Sequence, residues 1–345
     1  MLPLSPRAIA VTAACALLAG SLVAAATPAG AVEAMNPVDI REWEVPYEGR
    51  PRDPDVAGPD TIWFVGQTTG YLARLTPSTG EFFKRDLEGR AGPHNLIVGD
   101  DGIVWFAGNL NAYIGRYDPE TDEIERIEMP EGTAYDPHTM VFDADQSHIW
   151  FTSQGANYVG RLTVADRSVD LIEVPTDSAR PYGIRIAPDG TPWVALFGTN
   201  KLASVDPETL ELSEHTLPPE GALPRRLEIT EDGRIWYSDY ARGRIGRYDP
   251  ESGEFAEWEL PSGDDSAPYG TALDDDGIMW VVESGVRPNL FVGFDTAREK
   301  IVSVTPIPSG GGTVRHMDYH APSGAVWFGA DTGTIGKADV AAATE

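Results

Sequence analysis

Seven tryptophans recur along this chain at nearly constant spacing: Trp63, Trp105, Trp150, Trp193, Trp236, Trp280 and Trp327, with gaps of 42, 45, 43, 43, 44 and 47 residues. A period in the low forties is the length of one four-stranded propeller blade, and a unit of that kind cannot bury its own apolar faces without neighbours. Seven anchors therefore predict an all-β fold, a seven-bladed β-propeller of four-stranded blades. The second repeat shows the unit. Pro93-His94 opens a strand through Leu96 and Val98, and Asp100-Asp101-Gly102 turns it. Ile103–Phe106 forms the second strand, Tyr113–Tyr117 the third and Ile124–Met129 the fourth, with Asp118-Pro119-Glu120-Thr121 as the intervening turn. Asp, Gly and Pro suit such turns, and β-branched and aromatic runs suit the strands between them.

The acidic stretch GDDG at 99–102 could be a calcium loop or a hairpin. The same phase carries APDG at 187–190, TEDG at 230–233 and APSG at 321–324, without the fixed acid spacing a calcium loop requires. The hairpin explains all four. Each outer strand ends in a similar tail, as in IERIEMP, VDLIEVP and FAEWELP. IREWEVP at 40–46 has that tail with no blade before it, and the last repeat stops after TIGKADV at 334–340. The N-terminal strand is thus expected to complete the seventh blade, which removes the open sheet edge.

Residues 1–31 read as a secretory signal: one charge at Arg7, an Ala/Leu/Val run, and the small-residue cleavage motif Ala29-Gly30-Ala31. Residues 32–39 then form a short N-terminal tail and 40–342 a single propeller. A secreted, monomeric protein with no membrane association after cleavage is expected. The sole cysteine, Cys15, falls in the leader, so disulfide and thiol chemistry are excluded from the mature chain. A formal charge of −28 argues against a nucleic-acid partner, because such a chain repels phosphate backbones.

In a propeller the innermost strand of each blade lines the central channel. The residue following each strand's opening position reads Arg52, His94, His138, Tyr182, Arg225, Tyr269 and Arg315, with Arg226 and His316 adjacent. Three Arg, two His and two Tyr on one ring make a cationic, aromatic mouth in an acidic body. Arg binds carboxylates with two parallel bonds, and His and Tyr can move protons. These nine are the candidate catalytic and ligand-binding residues, and a small molecule or peptide is the expected ligand. The alternative is that they pair with deeper channel acids such as Asp55, Glu228 and Asp318. Positions after the second-strand anchors add Gln67, Asn109, Gln154 and Tyr240 to the ligand set. Asp239 and Glu283, on adjacent blades, are candidate ligands for a hard cation such as Mg²⁺, or else loop acids. No Gly-x-Ser-x-Gly and no zinc-spaced His pair occurs.

The pattern Pro-His-x-Leu, Asp-Gly-x-Val-Trp-Phe, Ile-Gly-Arg, clearest in PHNLIVGDDGIVWFAGNLNAYIGRYDP at 93–119, resembles the virginiamycin B lyase family over all seven repeats. The resemblance implies a Mg²⁺-assisted elimination that opens the ester ring of a cyclic depsipeptide: a base removes a proton beside a metal-polarised carbonyl, and no water is added. It also implies that base and metal ligands come mainly from the last blade, as Glu-Pro-His and a Glu three residues past the anchor. This chain has Thr313-Val314-Arg315 and Ala330 there, and Pro268-Tyr269 in the preceding blade. The nearest match is Asp136-Pro137-His138, with Ser153 three residues past its anchor; Glu283 holds the anchor-plus-three position one blade early. Two other readings stand beside the lyase: an extracellular propeller binding an anionic ligand, and a gluconolactonase-like metal-dependent hydrolase drawing on Glu228, Asn95 and Asp318.

Overall fold

The computed structural model describes residues 34–341. The leader expected at 1–31 lies outside the described residues. The described chain forms seven four-stranded antiparallel sheets. Six are each built from four consecutive strands. The seventh combines Val314–His320, Ala325–Ala330 and Thr334–Asp339 with the N-terminal strand Asp39–Glu44. The closure is in register from Asp39 opposite Asp339 to Glu44 opposite Thr334. Trp43 stacks on Trp327 at 5.5 Å, just as Trp258 stacks on Trp236 at 5.4 Å within the fifth blade. The shared outer-strand tail therefore has the same packing role in both blades. Ahead of that strand, Met35 exchanges backbone hydrogen bonds with Val304 at the outer edge of the sixth blade, at 3.0 and 2.7 Å. The N-terminal segment thus ties two blades together.

The turns behave as their residues require. Asp101 Oδ1 accepts from the Ile103 N–H at 3.0 Å, closing the GDDG turn on itself, with Gly102 at φ +78°. The glycine of the Ile-Gly-Arg strand makes room for a neighbouring aromatic ring. A Cβ at Gly115 would meet the Phe106 ring at 2.1 Å, and one at Gly160 would meet Phe151 at the same distance. The arginine one position on, Arg161 or Arg247, lies over its blade's tryptophan and pairs with an outer acid, Asp170 or Glu299.

The detail that positions the site is a β-bulge shared by all seven blades. In the third blade Pro137 lies opposite Ser153 and Met140 opposite Phe151, so one extra residue is accommodated on the inner strand. The same slip occurs in every other blade. A bulge breaks the strict alternation of strand faces. Two consecutive residues per blade then point into the channel where a regular strand would offer one.

Candidate functional site

The channel carries three rings of side chains. The mouth ring is the sequence-predicted set, Arg52, His94, His138, Tyr182, Arg225, Tyr269 and Arg315. The bulge adds a middle ring directly beneath it: Asp53, Asn95, Thr139, Gly183, Arg226, Gly270 and His316. Two residues deeper, at the far end, come Asp55, Arg185, Glu228 and Asp318 among apolar neighbours.

The mouth and middle rings bond across the channel, between blades that are not adjacent. The Tyr182 and Tyr269 hydroxyls hydrogen-bond to each other from the fourth and sixth blades. Arg226 donates from Nη1 to Thr139 Oγ1 at 3.2 Å and from Nε to the Arg315 carbonyl at 3.1 Å. Arg52 donates from Nε to Asp53 Oδ1 at 2.8 Å and from Nη1 to Gln67 Oε1 at 3.2 Å. The His94 and His138 rings lie 3.5 Å apart, and His138 lies 4.2 Å from Tyr182. Arg52, His138, Tyr182 and Tyr269 are each no more than 3 % exposed, so these side chains fill the channel below the rim. Gly183 leaves space for Arg226: a Cβ there would meet the Arg226 Cα at 2.9 Å.

The rim is partly exposed. Arg225 sits there in an aromatic box, 3.5 Å from the Tyr269 ring centroid, 4.3 Å from Tyr240, 4.5 Å from Phe197 and 5.0 Å from Tyr182. Among the described residues no carboxylate pairs with it; its buried Nε has no hydrogen-bond partner, and its side chain bonds the Tyr182 hydroxyl. Arg315 by contrast is paired with Asp331 through both terminal nitrogens. Asn109 donates to the carbonyls of Asp136 and Pro137, at 3.3 and 3.1 Å, and Gln154 is partly exposed beside them.

Electrostatics follow from this packing. Burial lowers the basicity of His94, and Arg52, His138, Arg226 and Arg315 lower it further. His138 is depressed by burial, then by Arg226 and Arg52, with Asp53 opposing. Both imidazoles are neutral at neutral pH, and the same burial and cationic surroundings make each a weak base. Burial alone would raise Tyr182, but Arg225, Arg226 and Arg52 outweigh it and bring its phenol below the usual value. Asp53 is held well below the carboxylate range because Arg52, His316 and Arg226 overcome its burial.

Asp239 and Glu283 each hold the loop that leads into their own blade. Asp239 Oδ1 accepts from the Leu223 and Ala241 N–H groups at 3.0 and 3.2 Å, and Oδ2 lies 3.5 Å from Arg242. Glu283 accepts from the Ser262 N–H and hydroxyl at 2.9 Å each. Asp136 does the same in the third blade, accepting from Gly155 N–H at 2.6 Å and Ala156 N–H at 3.1 Å. Among the described residues no three His, Cys, Asp or Glu side chains form a group able to hold a metal ion. The donor set at the mouth does not fit the Mg²⁺ that the family resemblance implies: guanidinium groups stand where cation-holding carboxylates would be needed, and the nearby acids are engaged in loop bonds. Asn95, Glu228 and Asp318 do not form a common site either. Asn95 bonds Asp53 in the middle ring at 3.3 Å, while Glu228 binds Arg185 at 2.9 and 3.1 Å at the far end.

Sequence reasoning missed the middle-ring residues Asp53 and Thr139, because strand alternation turns them away from the channel. A shared bulge has no composition signal that would have revealed them. Phe197, the remaining wall of the Arg225 box, lies at an anchor-plus-four position equivalent to Tyr240.

Fold and channel together define a closed seven-bladed propeller with a polar site on the inner ends of its blades. The sequence model of the virginiamycin B lyase family matches residues 20–205 and 167–345, which together span most of the chain. The chain belongs to that family. No curated protein sequence matches it. Among solved structures, a streptogramin B lyase superposes with a TM-score of 0.78 at 22 % identity, covering 89 % of this chain and 99 % of that one. Virginiamycin B lyase from Staphylococcus aureus gives 0.77 at 21 % identity, over 87 % and 98 % of the two chains. A catalytically inactive histidine-to-alanine variant of that lyase, with quinupristin, gives 0.78 at 20 % identity over the same shares. Among the described residues no helix is long and apolar enough to cross a membrane.

Proposed function

We propose that this member of the lyase family is an exported protein, its leader at 1–31 removed, whose propeller binds a carboxylate-bearing small molecule or peptide at the channel mouth through arginine. The observation that carries this is Arg225: a guanidinium lined by four aromatic rings, partly exposed, with no carboxylate partner among the described residues. Flat aromatic walls and the Tyr182 hydroxyl hold the fork in place at the partly exposed rim, where an incoming oxyanion can meet it. Tyr240 supplies a neutral polar group beside it. The test is calorimetric titration of the mature chain with a panel of peptide and sugar carboxylates and their amides. Binding should require the carboxylate, persist in EDTA, and fall at least tenfold in Arg225→Gln. Equal affinity for acids and amides would overturn the reading.

A second reading, elimination across a carbon–oxygen bond with the His94–His138 pair as base, is favoured by membership of the virginiamycin B lyase family. In that reading a neutral imidazole of the pair takes a proton next to a carbonyl whose negative charge a guanidinium offsets, although the burial and cations that keep the ring neutral also weaken it as a base. Mass spectrometry of a cyclic depsipeptide incubated with the protein distinguishes outcomes. Elimination gives a linear product of unchanged mass, hydrolysis adds one water, and pure binding leaves the ring intact.

A further inference from the structure

The middle ring, taken with Arg52 directly above it, holds an unbalanced charge. Arg52 and Arg226 are 2 % and 1 % exposed, Asp53 is fully buried, and no other carboxylate pairs with either arginine among the described residues. Arg52 is bonded to one Asp53 oxygen at 2.8 Å, and Arg226 stands 3.6 Å from the other. The remaining members of the layer are neutral. Asn95 is already committed, donating to Asp53 and accepting from the Met140 N–H at 2.9 Å. Four buried nitrogens of this region have no hydrogen-bond partner: Arg52 Nη2, Arg226 Nη2, His94 Nδ1 and His316 Nδ1. His94 and His316 are 7 % and 9 % exposed. Two cations against one anion, with unbonded N–H donors on both guanidiniums, is an arrangement that a low-dielectric interior strongly disfavours. A fixed negative charge beside them would neutralise the layer and satisfy those donors together.

We propose that the channel contains a buried binding site for one monovalent inorganic anion, a halide such as chloride, held between Arg52 and Arg226 beside Asp53. The charge follows from the surroundings, since one unit balances two guanidiniums against Asp53, and the Tyr182–Tyr269 contact and the paired histidines separate this layer from a ligand seated at the rim. The anion neutralises two groups contributed by the first and fifth blades and acts as a structural pin across the ring. This site stands whether or not the rim binds a carboxylate.

The decisive experiment is a crystal of the wild-type protein grown in sodium bromide, with diffraction collected at the bromine edge. An anomalous peak within hydrogen-bond distance of Arg52 or Arg226 Nη2 is expected. Peaks confined to the exterior, an adventitious ion only, or water density alone in the middle ring would overturn the proposal. In solution, replacing gluconate by chloride at constant ionic strength should raise the melting temperature by about 3 °C, and Arg226→Met should abolish that shift. An equal shift in Arg226→Met would count against the site. Should that variant fail to fold, the wild-type crystal decides alone.

Discussion

The two ends of one channel are built from the same seven strands, yet they solve the problem of buried charge in opposite ways. At the mouth and middle, arginines dominate: Arg226 is held by bonds to distant blades, Arg52 and Arg315 by bonds within their own blades, and Arg225 by aromatic rings. At the far end, acids dominate. Asp55, Glu228 and Asp318 line a cavity of about 340 Å³ whose walls include Leu96, Met140, Phe142 and Met317. Among the described residues only Glu228 forms an ion pair, with Arg185, and Thr271 adds a bond at 2.7 Å. Asp55 and Asp318 accept single backbone bonds, from Val98 at 2.7 Å and Val56 at 3.3 Å. Burial pushes Asp55 up to about 6, and it pushes Asp318 well above the usual range with Asp55 adding to the effect. A displacement of two residues along a strand thus turns a cationic, internally bonded plug into an acidic, proton-holding cavity. The comparison separates charge that stabilises through a partner from charge that the fold tolerates by taking up a proton.

The largest expected effect is at the middle ring. Asp53→Asn leaves two buried guanidiniums without their carboxylate and should cost about 3–5 kcal/mol in denaturant unfolding. The matching change at the other end, Asp55→Asn, should be neutral or stabilising at pH 7–8. Equal losses from both would break the contrast. Next comes Gly183→Ala, which forces a Cβ to 2.8 Å from the Arg225 carbonyl oxygen and should cost about 1–3 kcal/mol by displacing Arg226. Alanine at Gly102, where a Cβ meets nothing within 4 Å, isolates the pure backbone cost of a positive φ.

The pH response should also differ in sign. Asp55 has a raised folded pKa, so the folded state binds more protons than the unfolded one between the ordinary carboxylate range and about 6. Its contribution is therefore fully present below that window and lost as pH rises through it. Asp53 is depressed, so its contribution is present above the ordinary range and lost only in stronger acid. Wild-type stability should fall between pH 5 and pH 7 by about 1 kcal/mol on this account, allowing for the contact of the Asp55 and Asp318 carboxyls with the solvent-accessible cavity. Asp55→Asn should flatten that slope, and an unchanged slope would place the titration elsewhere. The smallest stability effect belongs to the rim. Arg225→Gln removes cation–π contacts worth about 1 kcal/mol, so a large loss of anion affinity with little loss of stability would confirm a ligand role rather than a structural one.

The sequence by itself determined the ring: seven tryptophans in phase, the turn residues between strands, and an N-terminal tail whose Trp43 matches Trp258 well enough to predict closure. Those features are local or periodic, and β-structure records its period directly in the chain. The mouth residues were legible for the same reason, since each follows the opening position of its strand. Asp53 and Thr139 were not, because the bulge that turns them inward depends on how inner and second strands pair, and pairing register is a property of two segments together. Nor could the chain reveal that Arg226 meets Asp53 and Thr139 from three different blades, or that Asp239 and Glu283 each close their own loop. Which charges face one another across a channel is decided by closure of the ring, which brings residues separated by more than a hundred positions into a single dielectric environment.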